Sequence, residues 1–194
     1  AGRSRVLSAR LSANLSAMSV CVTLAESPEF GAEMSLEIDV EVPYGNACLA
    51  RVEQGPAGAE VCFHPDPRGG PESLWFCFRI RRTGDEGGEI RIVFENFRNI
   101  LGGRDPALLR PVTRCEGRDW ERLPPGETET LPDGRINGVW RIAPQGAWAD
   151  VAVCYPYGRA EVDALVRDCR GFWRADVIGV SQGGRPLLRL SNAY

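Results

Sequence analysis

The chain has 194 residues, 43% of them hydrophobic, which is enough for a real core in one large or two small domains. A formal net charge of −3 argues against a general nucleic-acid binder, although all 23 basic residues are arginine and lysine is absent. No stretch approaches the roughly 18 uninterrupted apolar residues of a spanning helix, so no membrane segment is expected.

Residues 1–17 are rich in arginine and serine without an acid, and Leu7, Leu11 and Leu15 fall at helical spacing. This superficially fits an organellar transit peptide, but the expectation is a poorly ordered leader or one short helix. From Met18 the period becomes two. Val20, Val22 and Leu24 alternate, then Leu36, Ile38, Val40 and Val42 alternate with Glu37, Asp39 and Glu41 opposite, which places one face in a core and one in water. Pro43 to Asn46 is a predicted turn, and Cys48–Val52 and Glu60–Phe63 are predicted strands.

Pro65 to Ser73 reads as a loop that delivers the most apolar strand, Leu74 to Ile80. Glu89–Glu95, a strand entered at Arg110-Pro111-Val112, Trp120–Leu123, Gly138–Ile142 and Trp148–Tyr155 follow. About eight to ten short strands punctuated by Gly and Pro predict a mainly β protein, an antiparallel β-sandwich of jelly-roll type.

The run Val151 to Tyr157 is the predicted seam. Val151, Val153 and Tyr155 alternate with Ala152 and Cys154, both faces are apolar, and Pro156 ends the strand. Ala160–Cys169 is then an amphipathic helix, and Asp176–Val180 and Pro186–Leu190 form a hairpin around Gln182-Gly183-Gly184. One helix and one hairpin cannot bury a core alone, so this tail docks on the sandwich or starts a second domain. The division expected is a leader over 1–17, a sandwich over 18–157, and the start of another domain over 158–194. Leu187, Leu188 and Leu190 are expected to be exposed or self-associated.

Seven cysteines make an odd count without a C-x-x-C pair, and Cys21, Cys62, Cys77 and Cys154 sit among apolar residues as small hydrophobes. A reducing compartment follows. Gly179-Val180-Ser181-Gln182-Gly183 spells a nucleophile elbow, yet only Asn192, Ala193 and Tyr194 follow the hairpin and the one histidine, His64, is far upstream. A hairpin turn explains Ser181 better. His64 lacks the second histidine or cysteine cluster that zinc wants, and reads as an ordinary strand-end residue. Asp66-Pro67, Asp105-Pro106 and Asp85-Glu86 have no calcium-loop spacing and read as solvated turns. Trp75, Trp120, Trp140 and Trp148 could stack on a ligand or fill a core. Trp75 is assigned to the core, and Trp120 and Trp148 stay open.

The order Leu74-Trp75-Phe76-Cys77-Phe78-Arg79-Ile80, Ile90 to Asn96, Arg110-Pro111-Val112, Trp120 and Val151 to Tyr157 resembles the N-terminal domain of cytosolic carboxypeptidase-like zinc metallocarboxypeptidases, in the carboxypeptidase A superfamily. The run Ile178 to Leu188 is similar to the hairpin that opens their α/β catalytic domain. The resemblance covers Met18 to Tyr194. It implies a cytoplasmic peptidase that removes C-terminal residues from peptides or proteins, with zinc held by a His-x-x-Glu after the hairpin and a later histidine. No position of this chain matches those motifs, so no catalytic, cofactor-binding or metal residue is assigned, and the chain alone is expected to be inactive. Its expected partner is its own catalytic domain. The alternative from the residues alone is a free-standing sandwich that binds carbohydrate or peptide through Trp120 and Trp148.

Overall fold

Alternation between buried and open positions builds the first unit. In β2 (Ser35–Asp39), Leu36 and Ile38 are buried while Ser35, Glu37 and Asp39 stand on the opposite face, the period-two pattern of a half-buried strand. The computed structural model describes residues 19–21, 35–55, 58–66, 75–83, 88–97, 105–169 and 171–192. The expected leader, residues 1–17, lies outside them. The chain divides into two compact units, up to Tyr155 and from Pro156 onward.

In the first unit one sheet has the order β1 (Ser19–Cys21), β2, β5 (Cys77–Thr83), β11 (Trp148–Ala152), β7 (Val112–Cys115) and β8 (Glu121–Arg122), with every neighbouring pair antiparallel. The other runs β3 (Cys48–Gly55), β4 (Gly58–His64), β6 (Ile90–Phe94), β10 (Ile136–Ile142) and β9 (Glu127–Thr130). The protein is mainly β and its sheets are antiparallel, with one exception: β4 and β6 pair in parallel. A parallel pair cannot be closed by a hairpin. Between them the chain crosses to the first sheet as β5 and returns.

The inner faces of both sheets share one apolar core. Phe63 of β4 is its hub, with ring centroids 4.8 Å from Phe78 of β5, 4.9 Å from Phe76 and 5.2 Å from Phe94 of β6. Leu36, Ile38, Ile80 and Val151 meet Val61, Ile90, Ile92 and Trp140 around it. Trp140 closes one end. Its indole N–H donates to the Leu109 carbonyl at 3.1 Å, and its ring lies so close to Gly126 and Gly138 that a Cβ at either would overlap it.

Three elements differ from their sequence reading. The apolar strand read from Leu74 starts at Cys77, because Trp75 and Phe76 are held outside the ladder. The Asn46 side-chain amide donates to the Trp75 carbonyl, Asn46 and Cys77 make an isolated bridge, and the Trp75 indole donates to the Tyr44 carbonyl at 2.7 Å. Trp75 is accordingly half-buried against an outer cluster of Cys77, Val112 and Ala152, outside the inter-sheet core. The seam strand also ends early, at Ala152. Ala152 lies opposite Cys77, the first residue of β5, so the ladder runs out there. Val153 makes one more bond, to the Phe76 carbonyl, and Cys154 and Tyr155 are exposed. Burial on both faces holds from Ala149 to Ala152 and does not continue through Val153, Cys154 and Tyr155. Finally, β9 went unread: Glu-Thr-Glu-Thr has no apolar alternation, and it is an edge strand held by its ladder to β10.

The second unit contains α1 (Arg159–Asp168) and a hairpin of β12 (Arg174–Val180) and β13 (Pro186–Ser191). The helix starts where the Gly158 N–H finds the Glu161 carboxylate at 2.8 Å, and Arg159 and Asp163 pair one turn apart. No residue of α1 is buried. In the hairpin Leu188 and Leu190 are half-buried, while Leu187, Val177, Ile178 and Val180 are exposed.

Because Phe63 touches aromatic rings from both sheets, Phe63→Ala should lower the unfolding free energy by about 3–5 kcal/mol. Urea unfolding followed by fluorescence measures it; a loss under about 1 kcal/mol would show that the sheets do not depend on this ring.

Candidate functional site

The outer face of the first sheet carries the densest chemistry, and it follows from the alternation inside. Phe78 and Ile80 point inward from β5, which turns Arg79 and Arg81 outward; Ala149 and Val151 turn Trp148 and Asp150 outward from β11; Cys115 turns Arg114 outward from β7. The register sets Asp150 directly opposite Arg79 on one side and Arg114 on the other. Asp150 is 3% exposed. A buried carboxylate needs partners, and it has two guanidiniums: Arg79 Nε at 2.6 Å with Nη2 at 3.1 Å, and Arg114 Nη2 at 2.7 Å. Thr113 Oγ1 donates to the Asp150 backbone carbonyl at 3.0 Å. The hydrogen bonds it donates to Asp150 hold the Arg79 guanidinium above the usual arginine range.

The tryptophans complete the face. Arg79 lies 3.8 Å over the Trp148 ring, and Arg114 lies 4.7 Å over Trp120 and 5.8 Å from Trp148. Each indole therefore has one face covered by a cation. Sequence reasoning left Trp120 and Trp148 open but missed Asp150, Arg79 and Arg114. The available signal was an acid between Ala149 and Val151 in a strand read as covered on both sides, since a buried acid demands a base nearby.

A second cluster lies at one end of the other sheet. Arg51 grips both oxygens of Glu95, at 2.6 and 2.8 Å, and also Glu53 at 2.6 Å. His64 Nε2 faces the same Glu95 carboxylate at 3.2 Å. Hydrogen bonding to Arg51 holds the Glu95 carboxyl below its usual range. The site does not suit a metal ion, because a guanidinium already occupies the cation position beside Glu95. Among the described residues no group of three or more His, Cys, Asp or Glu is arranged to hold one.

Burial pushes the thiols of Cys62 and Cys77 up to about 12, so neither is a nucleophile at neutral pH. Cys154, expected among small buried hydrophobes, is exposed instead, and the side chain of Cys21 lies outside the described residues. Ser181 Oγ accepts the Arg185 N–H at 3.1 Å and the Ser181 carbonyl accepts the Gly184 N–H, both bonds of a hairpin turn. Asp105 caps a 3-10 turn by accepting the Ala107 N–H at 2.9 Å. Asp85 and Glu86 lie outside the described residues. No described helix is long and apolar enough to cross a membrane.

Solved structures similar to the chain include three carboxypeptidases. A metallo-carboxypeptidase from Burkholderia cenocepacia matches with a TM-score of 0.61 and 20% identity, over 80% of this chain and 38% of that one. A putative carboxypeptidase from Burkholderia mallei ATCC 23344 matches with 0.61 and 17%, over 80% and 38%. A putative carboxypeptidase A from Shewanella denitrificans OS-217 matches with 0.58 and 19%, over 79% and 39%. No protein-family model and no curated protein matches the chain. At such identities the likeness shows a shared fold, and the chain spans about two-fifths of the length of these structures.

Asp150→Ala leaves Arg79 and Arg114 facing each other without their anion. It should cost about 2–4 kcal/mol, the partial exposure of both guanidiniums reducing the figure for a fully buried pair; a urea melt indistinguishable from wild type would mean the carboxylate carries no structural weight. For Glu95 the folded carboxyl is depressed from about 4.5, so its contribution to stability is complete above that value and is lost as pH falls through the lower native one. Arg51→Met should flatten that acid limb in urea melts taken from pH 7 to about pH 3, and an unaltered limb would remove Arg51 as its cause.

Proposed function

We propose that this chain is the N-terminal accessory part of a zinc metallocarboxypeptidase of the cytosolic carboxypeptidase-like subfamily, acting in the cytoplasm on the C-termini of peptides or proteins. In this reading residues 18–157 are an antiparallel, jelly-roll-like sandwich, and residues 158–194 begin the catalytic domain. The observation that carries it is the likeness to metallo-carboxypeptidase structures, which takes in most of this chain but a minor share of theirs. The second unit supports it as well. Its helix has no buried residue and its hairpin exposes Val177, Ile178, Val180 and Leu187, as elements would that finish their packing against further chain.

Zinc, when bound in such an enzyme, polarises the scissile carbonyl and acidifies a water molecule. The described residues do not fit that metal, so its ligands are assigned to other parts of the protein and no residue of this chain to the chemical step. What this chain's residues do is build a rigid two-sheet body and present the Trp148–Asp150 face.

The purified chain, supplied with zinc, should release no amino acid from the C-termini of acylated peptides. A longer product, extended past Tyr194 to the length of its structural neighbours, should bind zinc and release them, with loss of activity on chelation. Zinc-dependent release by the 194-residue chain would overturn the assignment.

A further inference from the structure

We propose that Arg114, set between Trp120 and Trp148, is a binding site for an organic carboxylate, the kind of ligand that presents a planar anionic group beside an apolar or aromatic body. The inference stands apart from the carboxypeptidase reading, since it uses only the outer face of the first sheet.

The charge count is the starting point. Two guanidiniums share the single carboxylate of Asp150, and Arg79 also has Asp39 directly opposite it on β2, so Arg114 is the one left with only a share of one acid. Arg79 is the more enclosed, 19% exposed with two bonds to Asp150, while the Arg114 side chain is 38% exposed with one. The less compensated charge is therefore the accessible one, at Arg114. Neither Asp119 nor Glu121, the acids that flank Trp120, forms an ion pair with it.

The donor count agrees. Arg114 Nη2 serves Asp150, and Nε is buried without a partner. Nη1 makes no hydrogen bond and is not among the buried unpaired atoms, so it reaches solvent. Nη1 is thus a free donor, and Nη2 carries a second N–H besides the one given to Asp150, so this edge of the guanidinium can take a carboxylate with two parallel bonds.

Preorganisation separates this arginine from an ordinary surface one. A free arginine must give up its rotamer freedom to hold an anion. Arg114 is already held, with its guanidinium carbon over Trp120 and one amino group on a buried acid. The indoles of Trp120 and Trp148 also lower the local polarity and offer apolar surface to the body of the ligand. A neutral sugar would use the indoles but leave the guanidinium unanswered, and for that reason the carboxylate is the better fit.

The test is an NMR titration of the full chain at constant ionic strength with sodium benzoate, benzamide and sodium sulfate as separate probes, reading the indole N–H signals. Benzoate should shift Trp120 and Trp148 saturably while Trp140 and Trp173 stay fixed; benzamide should leave all five indole signals, Trp75 included, in place, and sulfate should act at least about tenfold more weakly, because it lacks the planar fork geometry. Arg114→Lys keeps the charge and removes the fork, and should weaken benzoate about tenfold or more. Equal response to benzamide, equal response to sulfate, or shifts that rise linearly without saturating would each overturn the proposal. Should Arg114→Lys fail to give a wild-type thermal melt, the benzoate, benzamide and sulfate comparison on the unaltered chain decides alone.

Discussion

The two large sheets belong to separate hydrogen-bonded systems, and what joins them is the interlocking of aromatic rings around Phe63. Everything on the outside is a consequence of that contact. A strand has two faces, and once Phe78, Ile80, Ala149 and Val151 are committed to the core, their neighbours Arg79, Arg81, Trp148 and Asp150 have nowhere to point but outward. A slip of one residue would drive Arg79 and Arg81 of β5, or Asp150 of β11, into the aromatic cluster, so the core enforces the register, and the register assembles the charged face.

The two polar clusters solve the same electrostatic problem in different ways. At Asp150 one buried carboxylate is shared by two guanidiniums, and an indole face lies against each of them. At Glu95 one carboxylate is shared by a guanidinium and an imidazole while Arg51 also answers to Glu53. In the first Arg114 has only a share of one acid, whereas in the second Arg51 answers to two. That difference, and not the number of polar atoms, is what makes one of them a candidate for an outside partner.

Much of this was legible in the residues. Alternation located β2, β4, β6 and β10 to within a few positions, because in each the apolar residues face the core, and the Gln182–Gly184 turn located the hairpin of the second unit. It failed where local pattern and tertiary pairing part company. β9 is a strand because β10 offers it an edge, and nothing in Glu-Thr-Glu-Thr announces that; β11 stops at Ala152 because β5 has no earlier residue to pair with, although the sequence continues apolar. The candidate site was half legible. Trp120 and Trp148 stood out by type, but the role of Asp150 depends on residues 36 and 71 positions away, a relation that only the sheet order creates.

That sheet order also bears on synthesis. β11 is no edge strand: it lies between β5 and β7, which have no other link to each other in the sheet, just as β10 joins β6 to β9. The centre of one sheet is therefore supplied by nearly the last residues of the first unit. A nascent chain leaving the ribosome in order would hold both flanks of that sheet, with their apolar faces open, until Trp148–Ala152 emerged to join them. Completion of this sheet therefore has to wait for β11, however early its other strands are made.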